Sequence, residues 1–385
     1  MNNIKRSGFV LPQMGWNSYC TVNCDPTEEI IINNVNALVD KGLREAGYEY
    51  INLDDGWLMS ERDKDGNLVV NRQNFPHGIE YLVDYIHSKG LKAGTYLGCG
   101  QKTYHGDAGT LGHEFEDAKM LAKWGFDYLK YDRRTMDDDP PRDTIKEYIK
   151  MGVALRDCGR DIFYGMCEHG TSEPWKWAAP VGQSWRTGGD IRDRWEEGEP
   201  CWGIMISVDY GVLKATTYGR PGNYNDPDML VVGMNRQNDW MGEGCTDTEY
   251  MSQFALWCML SAPLLIGADL TRISESGVSI LKHKGLIEIN QDTLGHPATR
   301  VRHEDKEFDV WMRPLSGIRW AVGLLNRSGE TKELGFTWQD MNLTPDIDMK
   351  IKEVISGNEL GVYKGELKAS LDSHEMKVFI CEPTF

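Results

Sequence analysis

Asp132 closes the short apolar run Tyr128-Leu129-Lys130-Tyr131-Asp132, and Asp190 follows another in Ser184-Trp185-Arg186-Thr187-Gly188-Gly189-Asp190-Ile191. Two carboxylates held across a pocket are the minimal machinery for cutting a glycosidic bond with retention. Acidic residues are common in this chain, so the neighbours of the pair carry the argument. Lys130 lies two residues before Asp132 and faces the same side of a strand. There an ammonium keeps a carboxylate ionised, as a nucleophile requires, although a purely structural ion pair has the same spacing. Arg186 precedes Asp190 on the segment where a proton donor would sit. A general acid holds its proton through burial or a nearby negative charge. Asp132 would supply that charge, and Arg186 would oppose it unless it faced the substrate. A surface Arg–Asp pair is the alternative reading, and the flanking Trp185 and Ile191 speak against full exposure.

Asp54-Asp55-Gly56-Trp57 ends another apolar run. Adjacent carboxylates there suit acceptance from sugar hydroxyls, and the tryptophan suits stacking on a sugar face. Mg²⁺ or Ca²⁺ binding and a plain capped turn are the competing readings. Asn225-Asp226-Pro227-Asp228-Met229 is a second acidic turn. His105, His113, His169 and His303 lack metal-ligand spacing and read as ordinary polar residues. No Gly-x-Ser-x-Gly or P-loop occurs. The 13 tryptophans and 16 tyrosines fit carbohydrate binding, although most of them will be core.

These residues need a scaffold that gathers strand ends. Val10–Asn17, Tyr48–Leu53, Lys92–Leu97, Tyr128–Tyr131, Ile162–Met166, Ser184–Arg186, Asn223–Asp226 and Leu264–Gly267 read as strands alternating with helical segments. Asp25-Pro26-Thr27-Glu28 reads as N-cap, N1 proline and capping-box acid. The helix after it buries Ile31, Val35, Leu38, Val39 and Leu43. Residues 78–88 and 113–124 read as helices too. This is the pattern of a (β/α)8 TIM barrel, in which polar residues at C-terminal strand ends face the active site. A doubly wound sheet is the runner-up, but no G-x-G-x-x-G follows the first strand. The barrel rule collects Trp16, Asp54, Asp55, Tyr96, Lys130, Asp132, Glu168, Arg186, Asp190, Asp226 and Asp228 in one acidic pocket. From about Val301 the pattern becomes short strands: Phe308–Leu315 and Ile318–Leu325 around Ser316-Gly317, then Leu334–Trp338, Ile351–Ile355 and Met376–Cys381. We expect a catalytic barrel over residues 1–296 and an antiparallel β-sandwich domain over 297–385.

With 42 basic and 59 acidic residues, the net charge of −17 argues against nucleic acid or an anionic membrane as partner. No apolar stretch has membrane-spanning length. The basic start Met1–Gly8 has no apolar region after it, so a secretory signal is not expected. The nine cysteines are odd in number and irregularly spaced, without a C-x-x-C. They read as free thiols in a reducing cytoplasm, and no Cys/His cluster has zinc spacing. A homo-oligomer is compatible with this reading.

Met14-Gly15-Trp16-Asn17-Ser18, Asp54-Asp55-Gly56-Trp57, Lys130-Tyr131-Asp132, Cys167-Glu168, Trp185-Arg186 with Asp190-Ile191, Asn225-Asp226-Pro227-Asp228-Met229-Leu230 and Pro263-Leu264-Leu265-Ile266-Gly267 occur in order. Together they resemble glycoside hydrolase family 27, the α-galactosidase and α-N-acetylgalactosaminidase family, over about residues 10–295. The resemblance implies a retaining, metal- and cofactor-free hydrolysis of terminal α-galactosides. By it, Asp132 is the nucleophile and Asp190 the acid/base. Asp54 and Asp55 take the C4 and C6 hydroxyls, and Lys130 the C3/C4 side. Trp16 and Tyr96 wall the sugar. Glu168 and Arg186 lie near C2, and Cys167 and Asp228 complete the substrate-binding set. A large glutamate at C2 favours galactose over its N-acetylamino analogue. The intact Asp54-Asp55 pair disfavours a β-L-arabinopyranosidase. A silent galactose-binding protein and a metal-dependent sugar isomerase are the readings from other classes.

The chain departs from the family in four places. A cysteine common after the Asp pair is Gly56, the Asn-Cys after the nucleophile is Arg133-Arg134, and the partner of that cysteine falls at Tyr104. Both family disulfides are therefore missing, in keeping with a reducing compartment. His169 stands where the family often has tryptophan. Arg133, Arg134 and His169 would then mark the aglycone side and a preference for an anionic leaving group, unless the arginines pair with Asp137–Asp139. Arg134→Ala should lower the rate on anionic aglycones relative to neutral ones. Equal effects across an aglycone panel would refute this assignment.

Overall fold

The computed structural model describes residues 11–133, 143–196 and 202–384. Eight parallel strands form the first sheet: β1 Met14–Asn17, β2 Tyr50–Asn52, β3 Lys92–Gly98, β4 Tyr128–Asp132, β5 Phe163–Cys167, β6 Ser184–Arg186, β7 Tyr224–Asp226 and β8 Leu264–Ile266. Each falls on a strand expected from the sequence: β1, β2, β7 and β8 are shorter, β3 and β4 run one residue further, β5 is shifted by one, and β6 is as expected. The order is β7-β6-β5-β4-β3-β2-β1-β8. Sequential neighbours pair throughout, and β8 returns to β1. The ring is completed by the parallel bridge Leu230↔Ile266, just beyond β7. That connectivity is a TIM-like barrel and excludes the doubly wound alternative.

The helices follow from apolar periodicity and local capping. Glu28–Asp40 is capped by Thr27, whose hydroxyl accepts from the Ile30 amide. The cap therefore sits two residues later than Asp25. Glu28 instead accepts from the His77 amide and contacts its ring. Ile31, Val35 and Leu38 are buried on the inner face, while Leu43 is buried in the turn beyond the helix. Ile79–Ser88 and Glu114–Trp124 lie where the helices were expected.

One end of the barrel is closed by aromatic rings. Tyr50, Tyr128 and Phe163 begin β2, β4 and β5 and touch one another in tilted and edge contacts. Gly165 permits this packing, because a Cβ there would lie 2.5 Å from the Tyr128 hydroxyl. Register then sets the opposite end. Tyr96, Lys130 and Gly165 form one row across β3, β4 and β5, and Gly98, Asp132 and Cys167 form the next row toward the strand C-termini.

The C-terminal part is antiparallel. A six-stranded sheet has the order β14-β13-β16-β11-β10-β9, and β12 pairs with β15 in a second sheet. Its strands are β9 Thr299–Glu304, β10 Phe308–Leu315, β11 Arg319–Asn326, β12 Lys332–Thr337, β13 Asp348–Glu353, β14 Glu359–Lys364, β15 Glu366–Leu371 and β16 Met376–Pro383. Between the two sheets lies a core that includes Val310, Phe336, Trp338, Met349 and Phe379. The hairpin at Ser316-Gly317 is present, but Ile318 belongs to the turn, with φ 58°. β9, β14 and β15 were not expected, because each alternates polar with weakly apolar residues.

This part is tied to the barrel by charge as well as apolar contact. Asp209, between β6 and β7, accepts from Arg300 at 2.7 Å and from Arg327 at 2.7 Å. Both arginines also approach the buried Asp309. Removing one partner of such a pair leaves the others poorly compensated. Asp209→Ala should therefore destabilise the protein by about 2–4 kcal/mol, read as a lower urea midpoint. An unchanged midpoint would show that the network contributes nothing net.

Candidate active site

The C-terminal strand ends gather the carboxylates. Asp54 follows β2 and is 1% exposed. Its Oδ2 accepts from Asn17 Nδ2 at 2.8 Å and Lys130 Nζ at 2.9 Å, and its Oδ1 from the Asp55 amide at 3.0 Å. Lys130 thus pairs with Asp54, not with Asp132 as its two-residue spacing suggested. Burial works against the Lys130 charge, but Asp54, with Cys167, Asp132 and Asp190 nearby, raises its pKa well above the usual lysine value. Its ammonium also lies over the rings of Tyr19 and Tyr96.

Asp55 is held by the Gly56 amide at 2.9 Å and the His105 amide at 2.8 Å. The contact uses the His105 backbone, while its ring meets Asp107, so its side chain keeps the ordinary polar reading. Burial pushes Asp55 up to about 6 against these hydrogen bonds, and the neighbouring Asp54 and Asp107 add to the rise. Trp57 does not offer a stacking face. It is buried, donates to the Tyr96 carbonyl and packs edge-on against Trp124 and Phe126. Gly56 has φ +97°, and a Cβ there would lie 2.0 Å from the Cys24 carbonyl oxygen, so the local backbone excludes a cysteine. Trp16 and Tyr96 are both buried, Tyr96 beneath the Lys130 ammonium, and the Trp16 indole donates to Ala268 O.

Arg186 closes the other side. Only 4% exposed, it contacts Asp190 Oδ1 at 3.0 Å and Asp228 Oδ2 at 3.1 Å, and donates to Cys167 Sγ at 3.6 Å. This pair is thus no surface salt bridge, although Asp190 itself keeps 37% of its side chain exposed. Asp228 has φ 87°, rare for a residue with a Cβ, and also accepts from the Ile191 amide. It braces the segment that carries Asp190. Burial raises Asp190, but Arg186, then His169 and Lys130, outweigh it, so its pKa is lowered from the ordinary aspartate value. Beside them, burial pushes Asp226 up to about 6.

Glu168, 2% exposed, accepts at Oε2 from Thr171 and Ser172, and its Oε1 has no hydrogen-bond partner among the described residues. His169 has φ 56° and stands between the two central carboxylates. Its Nε2 is 3.8 Å from Asp132 Oδ1 and 3.7 Å from Asp190 Oδ1. Arg133 continues from β4, its amide donating to Cys167 O. Arg134 and the Asp137–Asp139 run lie outside the described residues. The structure thus gathers the expected residues at one barrel mouth. Sequence reasoning missed Asn17, Tyr19 and His105 as parts of the site. Asn17 stood within a quoted motif, and Tyr19 and His105 carried no spacing signal.

Comparison with known proteins agrees with this geometry. Residues 11–292 match the family described as alpha galactosidase A, and residues 305–381 match the alpha galactosidase C-terminal beta sandwich domain. Alpha-galactosidase 2 of Arabidopsis thaliana is 40% identical over 98% of this chain and 90% of its own length. The crystal structure of alpha-galactosidase I from Mortierella vinacea superposes with a TM-score of 0.91 at 30% identity, covering 98% of each chain. The Saccharomyces cerevisiae alpha-galactosidase structure with raffinose gives 0.90 at 26% identity, over 97% of this chain and 98% of that one.

If ionised Asp55 accepts from the sugar, galactose affinity should rise as pH rises through about 6, the raised value of this carboxyl, and then level off. Asp55→Asn should bind galactose more weakly and without that step, whereas Asp226→Asn should keep it. A pH series of galactose inhibition constants checks this. From its fold, its acidic pocket and these relatives, the chain belongs to glycoside hydrolase family 27, and its activity is that of an α-galactosidase.

Proposed function

We propose that this enzyme removes terminal α-D-galactosyl groups from oligosaccharides or glycoconjugates by double displacement with retention, Asp132 attacking and Asp190 serving as acid and then base. The observation that carries the reading is the placement of two carboxylates, from β4 and from the loop after β6, on either side of one imidazole. Asp132 Oδ1 is buried without a hydrogen-bond donor, which leaves its lone pairs for attack on the anomeric carbon. Asp190 is partly exposed, as a group needs to be that meets both a leaving oxygen and an incoming water. In the first step the Asp132–C1 bond forms, the glycosidic C–O bond breaks and Asp190 gives its proton to the departing oxygen. In the second step Asp190 takes a proton from water, which attacks C1 and releases Asp132.

Sugar recognition rests on the remaining groups. Asp54, Asp55 and Lys130 meet the C3, C4 and C6 side, and an axial C4 hydroxyl reaching the Asp pair selects galactose over glucose. Glu168 Oε1 is the acceptor left for the C2 hydroxyl, and the bulk of this side chain disfavours an acetamide. A raffinose-type substrate fits a terminal α-galactoside. Operation in the cytoplasm belongs to the same proposal. The eight described cysteines are free thiols, and Gly56 replaces a family disulfide position.

Hydrolysis of p-nitrophenyl α-D-galactoside should exceed that of the α-N-acetylgalactosaminide and β-L-arabinopyranoside and should be indifferent to EDTA. The first sugar released should be the α-anomer by NMR, and a β-anomer would refute double displacement. Asp132→Asn should lower kcat by roughly 10⁴-fold or more. Asp190→Asn should cost about 10²–10⁴-fold on alkyl galactosides and much less on nitrophenol, which leaves without protonation. Equal losses would remove Asp190 from the acid role.

A further inference from the structure

Three soft-to-hard donor atoms converge at the mouth of this site. Asp132 and Cys167 are register partners at the ends of β4 and β5, and His169 follows two residues later in a left-handed turn. A carboxylate oxygen of Asp132, Sγ of Cys167 and a ring nitrogen of His169 lie within 4.8 Å of one another. This grouping was invisible to spacing rules, because it joins two strands rather than one motif.

We propose that these three residues form an inhibitory site for a borderline divalent cation, Zn²⁺ above all, competitive with the galactosyl group. The donor set is the first argument. One thiolate, one imidazole and one carboxylate suit zinc, whereas Mg²⁺ and Ca²⁺ take oxygen ligands. The second argument is independent of the first. Asp132 Oδ1 is buried without a hydrogen-bond partner among the described residues, a lone-pair donor beside the space the cation would fill.

Geometry allows closure. Zinc bonds of about 2.0–2.3 Å at tetrahedral angles place ligand atoms roughly 3.3–3.6 Å apart. His169 Nε2 and Asp132 Oδ1 already stand 3.8 Å apart. The imidazole is 38% exposed on a turn, so a small shift brings it in. Solvent at the open mouth supplies the fourth ligand. Burial and Asp132 push the Cys167 thiol well up and Arg186, donating to Sγ, opposes them, so the cation itself must displace the proton. On binding, the Cys167 S–H bond breaks, a Zn–S bond forms and the proton leaves to solvent. No electron is transferred. The excess of carboxylates over Lys130 and Arg186 at this mouth favours a cation.

The consequence is direct. A zinc ion on Asp132 occupies the lone pair needed for attack and stands where the anomeric carbon must approach. Galactose and zinc therefore exclude each other, and chelation restores turnover without the metal having any part in it.

The test is calorimetric titration of the whole protein with ZnSO₄, with and without saturating galactose. One Zn²⁺ should bind per chain, and galactose should weaken it by tenfold or more. His169→Asn keeps a residue that tolerates the left-handed turn and should weaken zinc by at least about tenfold. With Co²⁺ as probe, the wild type should show a near-ultraviolet thiolate-to-metal charge-transfer band that Cys167→Ser lacks. Circular dichroism confirms that each variant is folded. These readouts need no turnover, so they separate this inference from the catalytic roles above. Zinc binding untouched by galactose, or of equal strength in wild type and both variants, would overturn it.

Discussion

Charge neutralisation at the barrel mouth is the constraint on which this site depends. The barrel closes one end with Tyr50, Tyr128 and Phe163 and crowds carboxylates at the other. Burying several such groups without cations would protonate them or unfold the mouth. Two buried cations prevent this. Lys130 answers Asp54, and Arg186 answers both Asp228 and Asp190. Asp55 and Asp226 form no ion pair with a lysine or arginine among the described residues, and burial pushes both up to about 6. The same crowding therefore leaves Asp55 and Asp226 titrating near neutrality.

Much of this was legible in the sequence. Eight apolar runs each ending in polar residues gave the barrel, because a strand buried on both faces must be apolar until it reaches the mouth. Asp132 and Asp190 were legible for the same reason. Side-chain pairing was less so. Lys130 and Asp132 share a strand face, yet the lysine is long enough to cross to β2 and meet Asp54. Local spacing cannot show a contact between residues so far apart in the chain. The His105 amide reaches Asp55 from the loop after β3, and only the folded barrel brings these loops together. The missed strands of the C-terminal part have another cause. Strand Glu359–Lys364 is an exposed edge, so its residues carry little apolar alternation.

The position of Trp57 shows how a correct motif can mislead about roles. Tryptophan after an acidic pair invites a stacking interpretation, but the indole N–H is spent on the Tyr96 carbonyl and both faces pack in the core. Its function is to fix the turn that presents Asp54 and Asp55. Aromatic residues near a sugar site are as often its wall as its lining.

Asp190 poses the sharper question, since the residue proposed as proton donor is depressed rather than raised in the free enzyme. In the double displacement proposed above, the two half-reactions make different demands on it. In the second it must be an ionised base, and by then Asp132 is an ester with no charge, so the pull of Arg186 and Lys130 remains while one negative neighbour is gone. In the first it must donate, and three cationic groups work against that. One of the three is conditional. His169 pulls only when charged, and an uncharged imidazole removes that contribution. A sugar entering between the carboxylates also displaces water from Asp190, which strengthens the burial term that already raises it. Arg186 is divided between Asp190 and Asp228, so its hold on Asp190 is shared rather than exclusive. The free-enzyme electrostatics thus match the deglycosylation step, and the approach of substrate shifts Asp190 toward the protonated form that the glycosylation step uses.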